Sequence, residues 1–177
     1  MNQRESRNIR IKNDYYELMS ISCNILEICP VLGKPPFVTE YKITIRANSI
    51  LGVVRNNPIY RKIHEVKLVL GESYPISAPF VQMISMPQPY HPNWFVNGTW
   101  CGGLWLPKES ISSYVYRMAK TIQFSPSFTN PSSAANSEAA AWYLKNRFNK
   151  DLIPCDHNEI PTLGEIKPIY IVNISQQ

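Results

Sequence analysis

The stretch His91-Pro92-Asn93-Trp94-Phe95-Val96-Asn97-Gly98-Thr99-Trp100-Cys101 decides how the rest of the chain is read. It ends on a cysteine and opens on a proline-stiffened turn. Prolines 87, 89, 92 and 107 and glycines 98, 102 and 103 crowd the span 86–107, which rules out a helix or a central strand there. A long loop without regular structure is characteristically either functional or disordered. Trp94, Trp100 and Trp105 argue against disorder. A thiol placed so, after strands and before a helix, suits a carrier of an acyl group as a thioester.

Upstream, Ile11, Tyr15, Leu18 and Met19 recur at helical spacing and predict a helix over Arg4 to Ser20. Ser22 to Leu32 reads as a strand that ends at Gly33 and Pro35-Pro36. In Phe37 to Ala47, Tyr41, Ile43 and Ile45 alternate with Lys42, Thr44 and Arg46, as in a half-buried strand. A turn region containing Asn56-Asn57-Pro58 follows. Ile63 to Leu70 alternates again, and Phe80 to Met86 makes a fourth short strand. Four strands with short connections predict an antiparallel meander.

Downstream, Ser110 is placed to cap a helix whose Ile111, Val115, Met118 and Ile122 share one face, and Ser125-Pro126 stops it. A second helix is expected over Ser137 to Asn149, capped by Asn136. Ile166 to Ile174 has strand composition without a place in the sheet. The order helix, four strands, loop, two helices predicts an α+β fold with helices on one face of the sheet. The chain of 177 residues reads as one domain, with a core over about 5–150 and an extension over 151–177.

Composition narrows the classes. The chain is 44% hydrophobic and 18% charged, enough apolar residues for a packed core. No apolar run approaches the ~18–20 residues that span a bilayer, and the polar N-terminus lacks a signal-peptide core, so the expected address is the cytoplasm, with no membrane partner. In a reducing compartment Cys23, Cys29, Cys101 and Cys155 are expected as free thiols rather than two disulfides. Cys155 and His157 find no second pair at a usable spacing, which argues against zinc. The net charge of +5 includes Arg4, Arg7 and Arg10 at spacing three, either a solvated face or a docking stripe. Aromatics are not interleaved with the basic residues, which argues against nucleic acid.

Taken in order, these motifs resemble the ubiquitin-conjugating enzymes, the E2 or UBC fold. Tyr74-Pro75-Ile76-Ser77-Ala78-Pro79 is similar to the family's Tyr-Pro-x-x-Pro-Pro, and His91-Pro92-Asn93 to its His-Pro-Asn. Asn97-Gly98, Cys101, Trp105-Leu106-Pro107 and the Pro126 to Pro131 spacing follow in the family's sequence. The resemblance covers roughly residues 5 to 150. It implies that Cys101 accepts a ubiquitin-like protein from an E1-like activating enzyme. Asn93 then steadies the oxyanion when an acceptor lysine attacks, or else holds the loop. His91, Pro92, Tyr74 and Pro75 shape the site, with Tyr74-Pro75 expected cis. Phe95 and Asn130 border the acceptor groove, and Arg4, Arg7 and Arg10 become docking residues for the E1 and for an E3 where one is used. No cofactor is implied, since ATP is used on the E1 and no phosphate-binding loop is present.

The departures matter as much. Gly102-Gly103 replace the usual Leu-Asp, the spacing to Trp105-Leu106-Pro107 is shortened, and Asn130 stands where many members carry an acid. Glycines there suggest a more mobile backbone. An amide can position an amine but cannot act as its base. Nothing past about Asn149 resembles the family's last helices. In its divergence the chain is similar to the E2-like proteins of bacterial ubiquitin-like conjugation operons, some linked to antiviral defence. No Lys, Arg or His lies between Asn93 and Cys101, which fits a thiol activated by its partner thioester rather than by a base. Two other classes stand beside this one: a non-catalytic UBC-like binding module, and a cysteine hydrolase using Cys101 with His91.

Overall fold

The computed structural model describes residues 2–153, 156 and 158–161. Cys155, His157 and the strand-like 166–174 lie outside them. Helix α1 (Gln3–Ile21) begins with a reciprocal cap: Asn2 Oδ1 accepts from Glu5 N–H at 2.9 Å and Glu5 Oε2 from Asn2 N–H at 3.0 Å. Strands β1 (Leu26–Lys34) and β2 (Phe37–Ile45) form a hairpin. After an inserted segment come β5 (His64–Val69) and β6 (Phe80–Met83). These four make an antiparallel sheet in the order β1-β2-β5-β6. Helices α2 (Ile111–Ile122) and α3 (Ser137–Asn146) complete the α+β layout, linked by single 3-10 turns at Pro126–Phe128 and Pro131–Ser133.

The turn region around Asn56-Asn57-Pro58 is in fact a second, two-stranded sheet, β3 (Ser49–Val54) with β4 (Asn57–Arg61). Arg55 and Asn56 form its two-residue tip with φ of 50° and 65°. Both central residues are then left-handed, the turn whose twist suits a hairpin. Pro58 is tolerated because a two-stranded sheet offers it an edge.

The period-two pattern explains the inner face. Tyr41, Ile43 and Ile45 of β2 and His64, Val66 and Leu68 of β5 are buried, and Ile43 stands opposite Val66 in the register. Against them pack Ile11, Leu18 and Ile21 of α1 and Ile111, Val115, Met118 and Ile122 of α2. The outer face carries the ion pairs Lys42–Glu65 and Lys67–Glu40, each 3.0 Å. Ion pairs on a solvent-facing side are screened and contribute little, so the stability comes from the inner face. A second cluster of Ile50, Phe124, Tyr143 and Ile153 joins β3 to α3. The loop carrying Cys101 sits beside both clusters, with Trp94 and Trp100 in the main one.

Candidate active site

The spacing from Asn93 to Cys101 has a local cause. Phe95 N–H donates to Thr99 O and Gly98 N–H to Phe95 O, both at 2.9 Å, so residues 95–99 form a tight reversal. Gly98 takes φ +86°, where a side chain would be strained. Trp94 and Trp100 then pair across the strand-like stem, with ring centroids 6.4 Å apart. The stem returns Cys101 to Asn93, and Cys101 N–H donates to Asn93 O at 2.9 Å. Phe95 and Val96 are carried to the outer tip, and Phe95 is not among the residues that line the cavity at Cys101.

His91 is fully buried, with its ring edge-on to Phe124 at 4.3 Å between centroids. Its Nδ1 accepts from Asn93 N–H at 3.0 Å. The ring thus ties the turn, and burial pushes its pKa down to about 3. Pro92 O accepts from Ala135 N–H at 2.7 Å and Asn136 N–H at 3.1 Å, which fastens the loop to the start of α3. Asn93, 5% exposed, grips the backbone of one residue with its carboxamide. Its Nδ2 donates to Asn130 O at 2.9 Å and its Oδ1 accepts from Asn130 N–H at 2.8 Å. An amide nitrogen carries a second hydrogen, which leaves Asn93 one further donor beside Cys101. The Asn130 side chain is turned to capping, its Oδ1 accepting from Ser132 N–H at 3.0 Å.

Cys101 is half-buried and lines a cavity of about 180 Å³ together with Asn93, Trp100, Arg117, Phe128 and Asn130. Arg117, on α2, is the residue that sequence reasoning missed. Its guanidinium donates to Gly102 O and, at 3.4 Å, to Leu104 O, and it pairs with Glu109 at 2.8 Å. The glycine pair is also reinterpreted. A Cβ on Gly102 would stand 2.7 Å from the Trp100 ring, and Gly103 has φ +71°. One glycine serves a close approach and the other a left-handed turn.

Tyr74 is buried in front of a cis bond to Pro75. Its hydroxyl donates to Asp14 Oδ2 at 2.6 Å, while Trp105 Nε1 donates to Pro75 O at 2.8 Å. Asp14 is held in turn by Arg10, 2.8 Å away. Arg10 also donates to Pro107 O at 2.7 Å and Glu109 O at 2.5 Å. Arg7 donates to Leu70 O at 3.3 Å and Gly71 O at 3.0 Å. Of the three arginines in the expected docking stripe, Arg7 and Arg10 bind the chain's own carbonyls and Arg4 is the exposed one. Arg4, Arg7, Tyr74, Pro75 and Ile76 line a groove of about 740 Å³ at the start of α1.

The buried histidines set an expected pH response. Burial, and then the nearby Arg61, lower the pKa of His64 to about 4, with Nε2 directed at Ala47 O and Arg61 O, both 3.2 Å away. His91 is lowered too. For both, the unfolded chain binds protons first, so stability is intact above about 6.5 and falls as pH drops toward the folded values. Asp14 works the other way, because burial raises its pKa and its protonation favours the folded state. For His64 the expected loss is on the order of 3 kcal/mol once the pH is below about 4. Urea midpoints measured from pH 7 to pH 4 should decline, and less so in His64→Gln. An unchanged slope in that variant would remove His64 from the account.

Cys23 and Cys29 are partly buried free thiols. Among the described residues no cluster of three or more His, Cys, Asp or Glu could hold a metal, and no helix is long and apolar enough to cross a membrane.

No family model matches the chain. A segment of 99 residues is 30% identical to ubiquitin-conjugating enzyme E2 2 of Mycosarcoma maydis, covering 56% of this chain and 52% of that protein. The chain therefore spans about half the length of the curated relative it matches.

Proposed function

We propose that the chain is a ubiquitin-conjugating type of transferase, which carries a ubiquitin-like protein as a thioester on Cys101 and passes it to an acceptor amine, lysine in the first instance. The observation that carries this reading is the juxtaposition of a half-buried Cys101 with the Asn93 carboxamide in one cavity, the loop being locked by Cys101 N–H on Asn93 O at 2.9 Å. Similarity to the Mycosarcoma maydis protein supports it. Sulfur suits both steps because the thiolate attacks well and leaves well. Asn93 has a donor left for the oxyanion. His91 serves as neither base nor relay, since it is buried and its Nδ1 is occupied.

The partners of this reading are an E1-like activating enzyme, the modifier, an acceptor protein and, where used, an E3, acting in the cytoplasm. Exposed Ile76 and Arg4, at the groove beside α1, are the docking surface this reading supplies. The short, glycine-bearing segment after Cys101 and the amide at Asn130 support a divergent member, similar to those of bacterial conjugation operons.

The direct test mixes the chain with ubiquitin-activating enzyme, ATP and ubiquitin, and in parallel with adenylating enzymes and ubiquitin-like proteins encoded beside it. A thiol-sensitive adduct mapped by mass spectrometry to Cys101 is expected. No adduct with any of these pairs, together with measurable non-covalent affinity for a modifier, would replace the enzyme with a binding module.

A further inference from the structure

We propose that Arg117 is the positioning residue for Cys101, an inference that rests on the thioester reading above and names the residue that orients its thiol. Among the described residues, 102–105 enter no backbone-to-backbone hydrogen bond. Two of the four are glycine, the residue with the most conformational freedom to lose. Such a segment is ordered only from outside. Arg117 supplies that order near Cys101: it takes the carbonyls of Gly102 and Leu104 and is itself fixed by Glu109 at 2.8 Å. The guanidinium lies 5.8 Å from the Trp100 ring centroid and 5.2 Å from that of Tyr114, both cation–π distances. Arg10 takes the stretch that follows this segment, at Pro107 O and Glu109 O.

Cys101 is thereby held between two anchors. Its own N–H rests on Asn93 O, and the carbonyl of the next residue rests on Arg117. The peptide before Cys101 and the peptide after Gly102 are both held, so the Cys101–Gly102 peptide between them can turn only within that span, and Cys101 lines the cavity that Arg117 and Asn93 also line. In transfer, the Cys101 thiolate attacks the carbonyl carbon of the donor thioester. The new C–S bond forms, the old one breaks, and the donor's thiolate leaves and takes up the proton that Cys101 released. A planar fork that binds two carbonyls and a carboxylate at once is not replaceable by a point charge.

The test compares the full chain with Arg117→Met and Arg117→Lys. The first readout is iodoacetamide alkylation resolved by mass spectrometry at Cys101, Cys23 and Cys29, and it needs no activating enzyme. The second is the rate of thioester formation with ubiquitin-activating enzyme, ATP and ubiquitin. In Arg117→Met, alkylation should rise at Cys101 alone, and thioester formation should slow by about tenfold to a hundredfold. Arg117→Lys should fall between, since one ammonium can reach one carbonyl. If Arg117→Met does not fold, judged by its thermal transition, Arg117→Lys carries the same comparison. Alkylation of Cys101 that does not change relative to Cys23 and Cys29 overturns the proposal, as does an unchanged charging rate in a chain that charges. If the wild-type chain forms no thioester, the carrier reading fails, and the alkylation result alone decides whether Arg117 sets the thiol.

Discussion

Cys101→Ala is expected to abolish the thioester adduct completely, and Cys101→Lys to exchange it for one that resists thiols. Among the described residues, the alanine variant loses the only sulfur that lines the cavity with Asn93. Cys23 is packed against the main core and Cys29 lies on β1, so neither reaches that cavity. Cys101 is half-buried, so truncation to alanine removes little packing and the fold should persist. In Cys101→Lys the nucleophile is an amine, and its product with the activated carboxyl is an amide. Amides are not cleaved by the small thiols that exchange with thioesters. Gel mobility with and without reducing agent separates the three outcomes. A thiol-sensitive adduct that persists in Cys101→Ala would place the chemistry elsewhere.

The second large effect is expected at Asn93, where two roles can be pulled apart. Asn93→Ala leaves both the N–H and the C=O of Asn130 without the partners they have at 2.8 and 2.9 Å. Each unsatisfied buried group costs about 1–3 kcal/mol, less where water reaches the exposed side of Asn130. Loss of an oxyanion donor would in addition slow lysine attack by about 10²–10³. Asn93→Asp keeps one of the two structural bonds, because a carboxylate still accepts from Asn130 N–H, but it donates neither to Asn130 O nor to the oxyanion. The measurement is single-turnover: charge each variant, quench the activation step, and follow discharge onto free lysine. If Asn93 donates to the oxyanion, discharge falls far more than charging in both variants. If it only holds Asn130, charging and discharge fall together.

The main sheet was legible because half-buried strands repeat with period two. Residues His64, Val66, Leu68 and Leu70, read as one face of a strand, are all buried. The β3–β4 hairpin was not, because its turn is built by Arg55 and Asn56 at positive φ and Pro58 opens the return strand, and Arg and Pro at those places read as loop. Arginines at spacing three looked like a surface stripe, since periodicity reports which residues share a face and not what stands opposite. What stands opposite Arg7 and Arg10 is a set of carbonyls distant in sequence. The pairing of Arg10 with Asp14 at i, i+4 was a usable hint, an acid on the apolar side of a helix. Arg117 gave none: its targets are the backbone oxygens of Gly102 and Leu104, which no side-chain pattern marks.

The two arginines bear on how this protein could be engineered. The segment from Cys101 to Glu109 is continuous in sequence and invites treatment as a cassette, to be moved into another scaffold or exchanged for a relative's loop. Its shape, however, is held by side chains from two helices, Arg10 before it and Arg117 after it. A graft of the loop alone would carry the thiol without its mould, and an N-terminal truncation past Arg10 would disturb the reactive loop from the opposite end of the chain. The smallest transplantable unit is therefore the loop together with both helices.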